Sequence, residues 1–398
     1  MRKLLILPGA CETLGGTLVT LSMVIEGFKR LGASEQLRVL VKSGSGMEKY
    51  LREAGQASCL QVVPAESQSE FLKRSLRWVS EQPIEYPLLL DNCVARKHLP
   101  ILMAASPMLR LSKRPVYHFF HDLALSKNNL GFLARKLAFA CLAPGAICNS
   151  RFTAGYIQRL VEDIRGILYQ PVNLERFNDS IPLKPPSNLQ PILHAGSRIM
   201  LTPSRINKPG TVNNKNLHAL APVLAQLRAK GYDYHGVIIG DDRSPNQENS
   251  RALLEHAKTL GIADHFTILP PAYDIENYYK YADVVVTLAP QEPFGRTVVE
   301  AIACGVPVVG SYTGGIGEIL NHFAPEWTVD PTDAQATADT IIRVATHSTT
   351  QDLLTQGQRW VTTQCDLEGY ARRLMLIADI LPARPLSTIK SSVQIRSF

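Results

Sequence analysis

The sequence predicts an α/β protein of two Rossmann-like domains facing each other across a cleft, with a C-terminal helix crossing back to the first domain. Three observations predict it. Short apolar, β-branched runs alternate with helical patterns along most of the chain, as expected of parallel sheets with crossover helices. The alternation occurs twice, on either side of a proline-rich polar stretch from Asp179 to Pro191. The chain has 398 residues, enough for two domains of roughly 100–200 residues, each with its own core. The expected boundaries are an N-terminal domain over 1–180, a C-terminal domain over 181–381 and a polar tail over 382–398.

In the first half, Leu4–Leu7, Arg38–Lys42, Leu60–Val63, Pro87–Leu90, Val116–Phe120 and Ala146–Cys148 read as strands. Leu18–Leu31 reads as an amphipathic helix, with Leu18, Leu21, Val24, Ile25, Phe28 and Leu31 at helical spacing. In the second half the strands are Ile199–Thr202, Gly236–Ile239, Phe266–Leu269, Val284–Leu288 and Pro307–Gly310. The helices between them are Asn216–Lys230, Ser250–Leu260, Ile275–Tyr281 and Thr297–Cys304, and Leu353–Leu381 reads as two more. Open parallel sheets bind ligands at the carboxyl ends of their strands, so two such edges facing each other place the ligand between the lobes.

Hydrophobic content of 45% and charged content of 19% fit a folded globular chain. No apolar run reaches the roughly 18–20 residues that span a bilayer. The opening run Leu4–Leu7 is too short for a signal-peptide core. The seven cysteines are widely spaced with no Cys-x-x-Cys pair, which argues against a disulfide framework or structural zinc and for a reducing, cytoplasmic setting. The net charge of +7 is uneven: residues 1–170 hold 22 Lys and Arg against 13 Asp and Glu. A basic half suits an anionic partner, such as a lipid surface or phosphorylated acceptor, although it also serves solubility. Nucleic acid is the least favoured partner, since the chain has no zinc-finger spacing, RNP-like motif or dense basic stripe.

The most informative stretch is Glu292-Pro293-Phe294-Gly295-Arg296-Thr297-Val298-Val299-Glu300-Ala301. It follows the strand Val284–Leu288 and opens a helix. A helix starting at a sheet edge presents free N–H groups and its positive dipole end, an anion site suited to a diphosphate. Gly295 lets backbone come close to a ligand. Carboxylates beside a phosphate site need other partners, and a sugar or ribose diol donates two hydrogen bonds to one carboxylate. Taken alone, a capping Glu292 and a solvated Glu300 would fit the same pattern.

Glu292 and Glu300 stand in an E-x7-E spacing. The pattern continues through Ala301-x-Ala303-Cys304-Gly305-x-Pro307-Val308-Val309 to Gly314-Gly315-Ile316-Gly317-Glu318. This stretch resembles the donor-binding core of the family-4 retaining glycosyltransferases of the GT-B fold, of the kind that serves bacterial polysaccharide biosynthesis. Weaker resemblance runs from the N-terminus to about residue 380. The resemblance implies that Glu292 and the backbone of Phe294 and Gly295 hold the donor sugar. It implies that Glu300 holds the ribose diol and that the N–H groups near Arg296 and Thr297 face the diphosphate.

Ser204-Arg205 and Lys215-Asn216 resemble the family's Arg…Lys pair, which neutralises charge on the leaving nucleotide. Nine residues separate Arg205 from Lys215, more than the family normally has, and Lys208 between them is an alternative second cation. Gly15-Gly16-Thr17 resembles the N-terminal glycine loop that approaches the donor phosphate or acceptor; no G-x-G-x-x-G follows it. His121, before Asp122, matches a histidine that reaches the donor sugar, while His118 points to the opposite face of its strand. Asn149–Thr153 and Pro171–Phe177 match more loosely, the latter with Asn173 where Asp is common. Gly240 and Asp241 are expected to line the nucleotide pocket, and Leu269 and Tyr273 to frame the base.

The mechanism so implied is front-face displacement, in which the leaving phosphate oxygen helps deprotonate the acceptor and no protein nucleophile is needed. No Asp-x-Asp motif occurs, so no metal or other cofactor is expected. The favoured co-substrate is a UDP-hexose, glucose first, with a saccharide or lipid-linked saccharide as acceptor and peripheral contact with an anionic membrane. The rival readings are a sugar-nucleotide-binding protein with weakened catalysis and a sugar-nucleotide epimerase on the same fold. A phosphorylase lacks a pyridoxal-phosphate lysine context, and a nicotinamide dehydrogenase lacks its glycine fingerprint.

Overall fold

The computed structural model describes residues 2–12, 15–126, 128–180, 184–208 and 214–380. The expected tail over 382–398 and residues 181–183 of the proline-rich stretch lie outside these. The first sheet holds β1 (Leu4–Pro8), β2 (Leu37–Lys42), β3 (Leu60–Val63), β4 (Leu88–Asp91), β5 (Val116–Phe120), β6 (Gly145–Cys148) and β7 (Ile164–Ile167). Its order is β3-β2-β1-β4-β5-β6-β7, all parallel. The second holds β8 (Arg198–Pro203), β9 (Tyr234–Ile239), β10 (Phe266–Leu269), β11 (Val284–Thr287), β12 (Val308–Ser311) and β13 (Thr328–Val329). Its order is β10-β9-β8-β11-β12-β13, again all parallel. These are the two Rossmann-like lobes that the sequence predicts.

Helices cover both faces of such sheets, so central strands are apolar throughout rather than alternating. Every residue of β1, β4, β6 and β9 is buried. The strand order reverses between β1 and β4 in the first sheet and between β8 and β11 in the second. The loops following these four strands are where ligands bind on open α/β sheets.

The helix Leu367–Ile377 crosses back as expected: Tyr370, Ala371, Leu374 and Met375 are buried in the first core. Asp379 just beyond it pairs with Arg2 at 2.8 Å. The chain passes from the first core to the second between Leu168 and Val172. Leu168 still belongs to the first core, but Val172 and Phe177 are already buried in the second, with Leu189 and Ile192. The apolar Val172 and Phe177 draw the chain across, and the Val172 N–H donates to the Cys365 carbonyl at 2.8 Å.

Candidate active site

The loop after β11 and the helix Arg296–Ala303 form the centre of the second lobe's ligand edge. Gly295 caps the helix with φ +101°, a left-handed conformation that suits glycine. The helix Gly314–Leu320 packs directly on this loop. A Cβ at Gly315 would stand 2.2 Å from the Phe294 carbonyl oxygen, so the glycine run serves close packing of backbone on backbone. The Gly315 N–H donates to the Glu292 carbonyl at 2.7 Å and fixes that residue's main chain.

The two motif carboxylates have different settings. Glu292 is half-buried, and its Oε2 pairs with the Lys215 ammonium. The structure thus brings Lys215 to the motif, whereas Lys208 and Arg205 stand exposed in the loop after β8. Glu300 is buried at 8% exposure, and its Oε2 accepts from the Tyr279 hydroxyl at 3.0 Å. Burial and the nearby Glu300 charge push the Tyr279 phenol well above its ordinary value, so it stays a donor.

Burial also raises the Glu300 carboxyl above its ordinary value, against the pull of Arg296 and the Tyr279 hydrogen bond. The native state therefore holds this proton more tightly than the unfolded chain does. The resulting stabilisation is fully present below the unfolded value of about 4.3 and is lost as pH rises through the raised native value. Thermal unfolding of wild type and Glu300→Gln across this range is expected to show wild type losing melting temperature relative to the variant as pH rises. A constant difference across the range would refute the buried-acid account.

The first lobe presents the ends of β1, β4, β5 and β6. His121 follows β5, and its Nε2 lies 2.6 Å from Asp91 Oδ1 at the end of β4; both side chains are 6% exposed. His121 Nδ1 lies 3.1 Å from the Gln170 amide nitrogen. Gln170 Oε1 accepts from Arg296 Nη2 at 2.9 Å. One tautomer satisfies the whole chain of groups: Nε2–H donates to Asp91 and Nδ1 accepts from Gln170. A cavity of about 10 Å³ lined by Thr20, Asp91 and His121 adjoins it, smaller than a sugar ring. His118 lies on the other face as expected. It accepts from the Cys93 N–H at 3.1 Å, and burial lowers it to about 3, so it is a neutral structural residue.

Three ties join the lobes across this edge. Arg296 also donates to Thr20 Oγ1 at 2.5 Å and to the Pro171 carbonyl at 3.3 Å. Gly16 opens the helix Gly16–Arg30 that carries Thr20, and it sits beside the Arg296 guanidinium. Ser150 and Thr153 hydroxyls donate to the Pro293 carbonyl at 2.5 and 3.0 Å. The Glu318 carboxylate accepts from the Arg151 and Phe152 N–H groups at 2.8 Å each and from the Tyr169 hydroxyl at 2.9 Å.

At the far end of the second sheet, the Gly240 N–H donates to the Leu269 carbonyl at 3.1 Å, and the Ile206 N–H donates to the Asp241 carbonyl at 3.0 Å. These bonds bind the ends of β8, β9 and β10 into one floor. The Tyr273 carbonyl accepts from Arg176 at 2.8 Å, while its ring is 91% exposed. Phe294 is buried and Thr297 half-buried in the first turn of the motif helix. Among the described residues, no three His, Cys, Asp or Glu side chains gather to hold a metal.

The site therefore unites Gly16, His121, Lys215, Glu292, Arg296 and Glu300 from both lobes. Asp91, Gln170, Tyr279 and the bridging role of Glu318 are additions that the sequence reading missed. Asp91 had a signal: a lone charge closing the apolar run Leu88-Leu89-Leu90.

Residues 196–359 match the family described as Glycosyl transferases group 1. A D-inositol 3-phosphate glycosyltransferase of Saccharomonospora viridis is 34% identical over 125 residues, which are 31% of this chain and 29% of that protein. One from Frankia alni is 29% identical over 175 residues, 44% of this chain and 42% of that protein. The chain thus spans less than half the length of these relatives. HepE of Anabaena, solved in complex with UDP, superposes with a TM-score of 0.75 at 20% identity, over 96% of this chain and 100% of that one. Sucrose-phosphate synthase of Thermosynechococcus elongatus does so with a TM-score of 0.66 at 18% identity, over 96% and 99%. The chain therefore has the two-lobed GT-B fold of these structures, and its second lobe carries a glycosyl transferases group 1 region.

Proposed function

We propose that this protein is a retaining glycosyltransferase that moves a hexose from a nucleotide sugar to a saccharide or lipid-linked acceptor by front-face displacement, without a metal. The observation that carries the proposal is that Glu292, paired with Lys215, precedes the helix Arg296–Ala303, Glu300 is buried within it, and Arg296 of its first turn holds Gln170, the partner of His121. In this reading the first-turn N–H groups of Arg296 and Thr297, with Lys215 and Arg205, neutralise the diphosphate. Glu300 accepts from the ribose diol and Glu292 from the sugar hydroxyls. Gly240, Leu269 and Tyr273 border the base. The leaving phosphate oxygen takes the acceptor proton, so the protein supplies position, charge and exclusion of water. Neighbours on this fold were solved with UDP and with UDP-glucose, which makes uridine the first base to test and glucose the first sugar. No helix among the described residues is long and apolar enough to cross a membrane; peripheral contact with an anionic membrane is part of the proposal.

The test is calorimetry of UDP, GDP and ADP in EDTA with wild type and Glu300→Ala. One nucleotide is expected to bind with micromolar affinity. Losing two charge-assisted hydrogen bonds, about 3 kcal/mol together, is expected to weaken it about 100-fold in Glu300→Ala. If none of the three binds wild type, the donor-site assignment fails.

A further inference from the structure

The helix Asn129–Leu142 turns an unusual face outward. A surface helix places its apolar stripe on the core and its charges in water. Here Gly131, Ala138, Phe139 and Leu142 face inward. Leu130, Leu133 and Leu137, at i, i+3 and i+7, are 73%, 61% and 52% exposed. On the helix Leu99–Leu111 that packs against it, the terminal Leu111 is 84% exposed. Arg110 of that helix donates to the Cys141 carbonyl at 3.5 Å, which holds the two helix ends together. Two packed helices thus each turn leucine to solvent.

Its surroundings are basic. From Asn92 to Ser150 the chain carries eight Lys and Arg and a single acidic residue, Asp122. Arg114 and Arg135 are spent on backbone carbonyls, but Arg110, Lys113 and Lys136 are exposed and flank Leu111 and Leu137 in sequence. A leucine stripe rimmed by cations that can reach past it is the pattern of a helix lying on an anionic lipid surface. A second copy docking face to face would set these same cations against each other. Residues 381–398 carry Arg384, Lys390 and Arg396 and no acid, so they too are repelled.

We propose that the outward face of Leu111, Leu130, Leu133 and Leu137, with Arg110, Lys113 and Lys136, seats the first lobe on an anionic lipid surface. The proposal rests on the membrane contact in the reading above and names its surface. The loop leading into the helix Asn129–Leu142 begins at His121, so seating this helix places the cleft next to the lipid, where a lipid-linked acceptor is presented.

The experiment is co-sedimentation of the full chain with vesicles of phosphatidylcholine alone or with about one third phosphatidylglycerol, at low and high salt. Wild type is expected to bind the anionic vesicles and to be released by salt. Leu133→Glu/Leu137→Glu and Lys113→Glu/Lys136→Glu are each expected to lower the partition at least about tenfold, with nucleotide binding unchanged in both. Equal binding to neutral and anionic vesicles, or binding that neither pair alters, would overturn the proposal. So would a wild-type dimer, seen by sedimentation velocity, that the leucine pair dissociates. Nucleotide binding that persists without vesicle binding refutes only this surface. Vesicle binding without nucleotide binding refutes the donor site and leaves the surface standing.

Discussion

Lys215→Ala is expected to lower the rate of sugar transfer by about 10²–10³, the loss that follows removal of one preorganised donor to a developing negative charge. The structure holds the Lys215 ammonium against Glu292 in a half-buried setting. The Glu292 main chain is fixed in turn by the Gly315 N–H. The cation is thus positioned before the nucleotide arrives, which is the condition for an electrostatic contribution to the rate. In the proposed reaction the bound diphosphate becomes a second partner of Lys215, and Glu292 is released to the sugar. Two residues that exchange partners in this way do not contribute independently. Glu292→Gln alone is expected to be severely impaired, and the double variant to be far less damaged than the product of the single losses. Steady-state kinetics of the three variants provides the cycle. Strict multiplicativity would show that the pair is a resting contact without a shared role. If Lys208→Ala lost the rate and Lys215→Ala kept it, the second cation would be Lys208.

Much of this arrangement was legible in the sequence because it lies within short stretches. The motif from Glu292 to Glu318 folds as one local unit, a strand end, a helix and a second helix on the same loop, so its spacing carried the geometry. The strands of the two sheets were legible because burial on both faces leaves unbroken apolar runs. The edge strand β7, Ile164-Arg165-Gly166-Ile167, was not: it is only partly buried and interrupted by Arg165 and Gly166. The helix Asn129–Leu142 was hidden by its outward leucines, which blur the helical period that marks a surface helix. Contacts between distant positions left no local trace. Nothing near Gln170 in sequence shows that it lies between His121 and Arg296, and Glu318 gives no sign of its partners Arg151 and Phe152. The crossing at Val172 left no local trace for the same reason: the prolines after Asp179 are conspicuous, whereas the burial of Val172 against the second core is decided by the fold.

The pair at the first lobe's edge supports the other large expectation. His121→Ala is expected to cost about 1.5–3 kcal/mol of stability, the range for losing a hydrogen bond to a charged group and leaving that charge without its donor. His121 hydrogen-bonds the Asp91 carboxylate, and both side chains are almost fully enclosed. Adding Asp91→Asn removes the stranded charge, so His121→Ala/Asp91→Asn is expected to recover much of the stability in urea unfolding. Catalysis should separate from stability here. In the proposed reaction the sugar reaches His121 only after Gln170 leaves Nδ1, and Gln170 also holds Arg296. Entry of the sugar is thereby coupled to release of a tie between the lobes. The double variant, although stabilised, is expected to stay at least about 100-fold slower than wild type, the lower end for loss of a group acting on the transferred sugar. A double variant no more stable than His121→Ala would show that the carboxylate was never stranded. Recovery of full turnover along with stability would show that His121 serves only to hold the end of the strand.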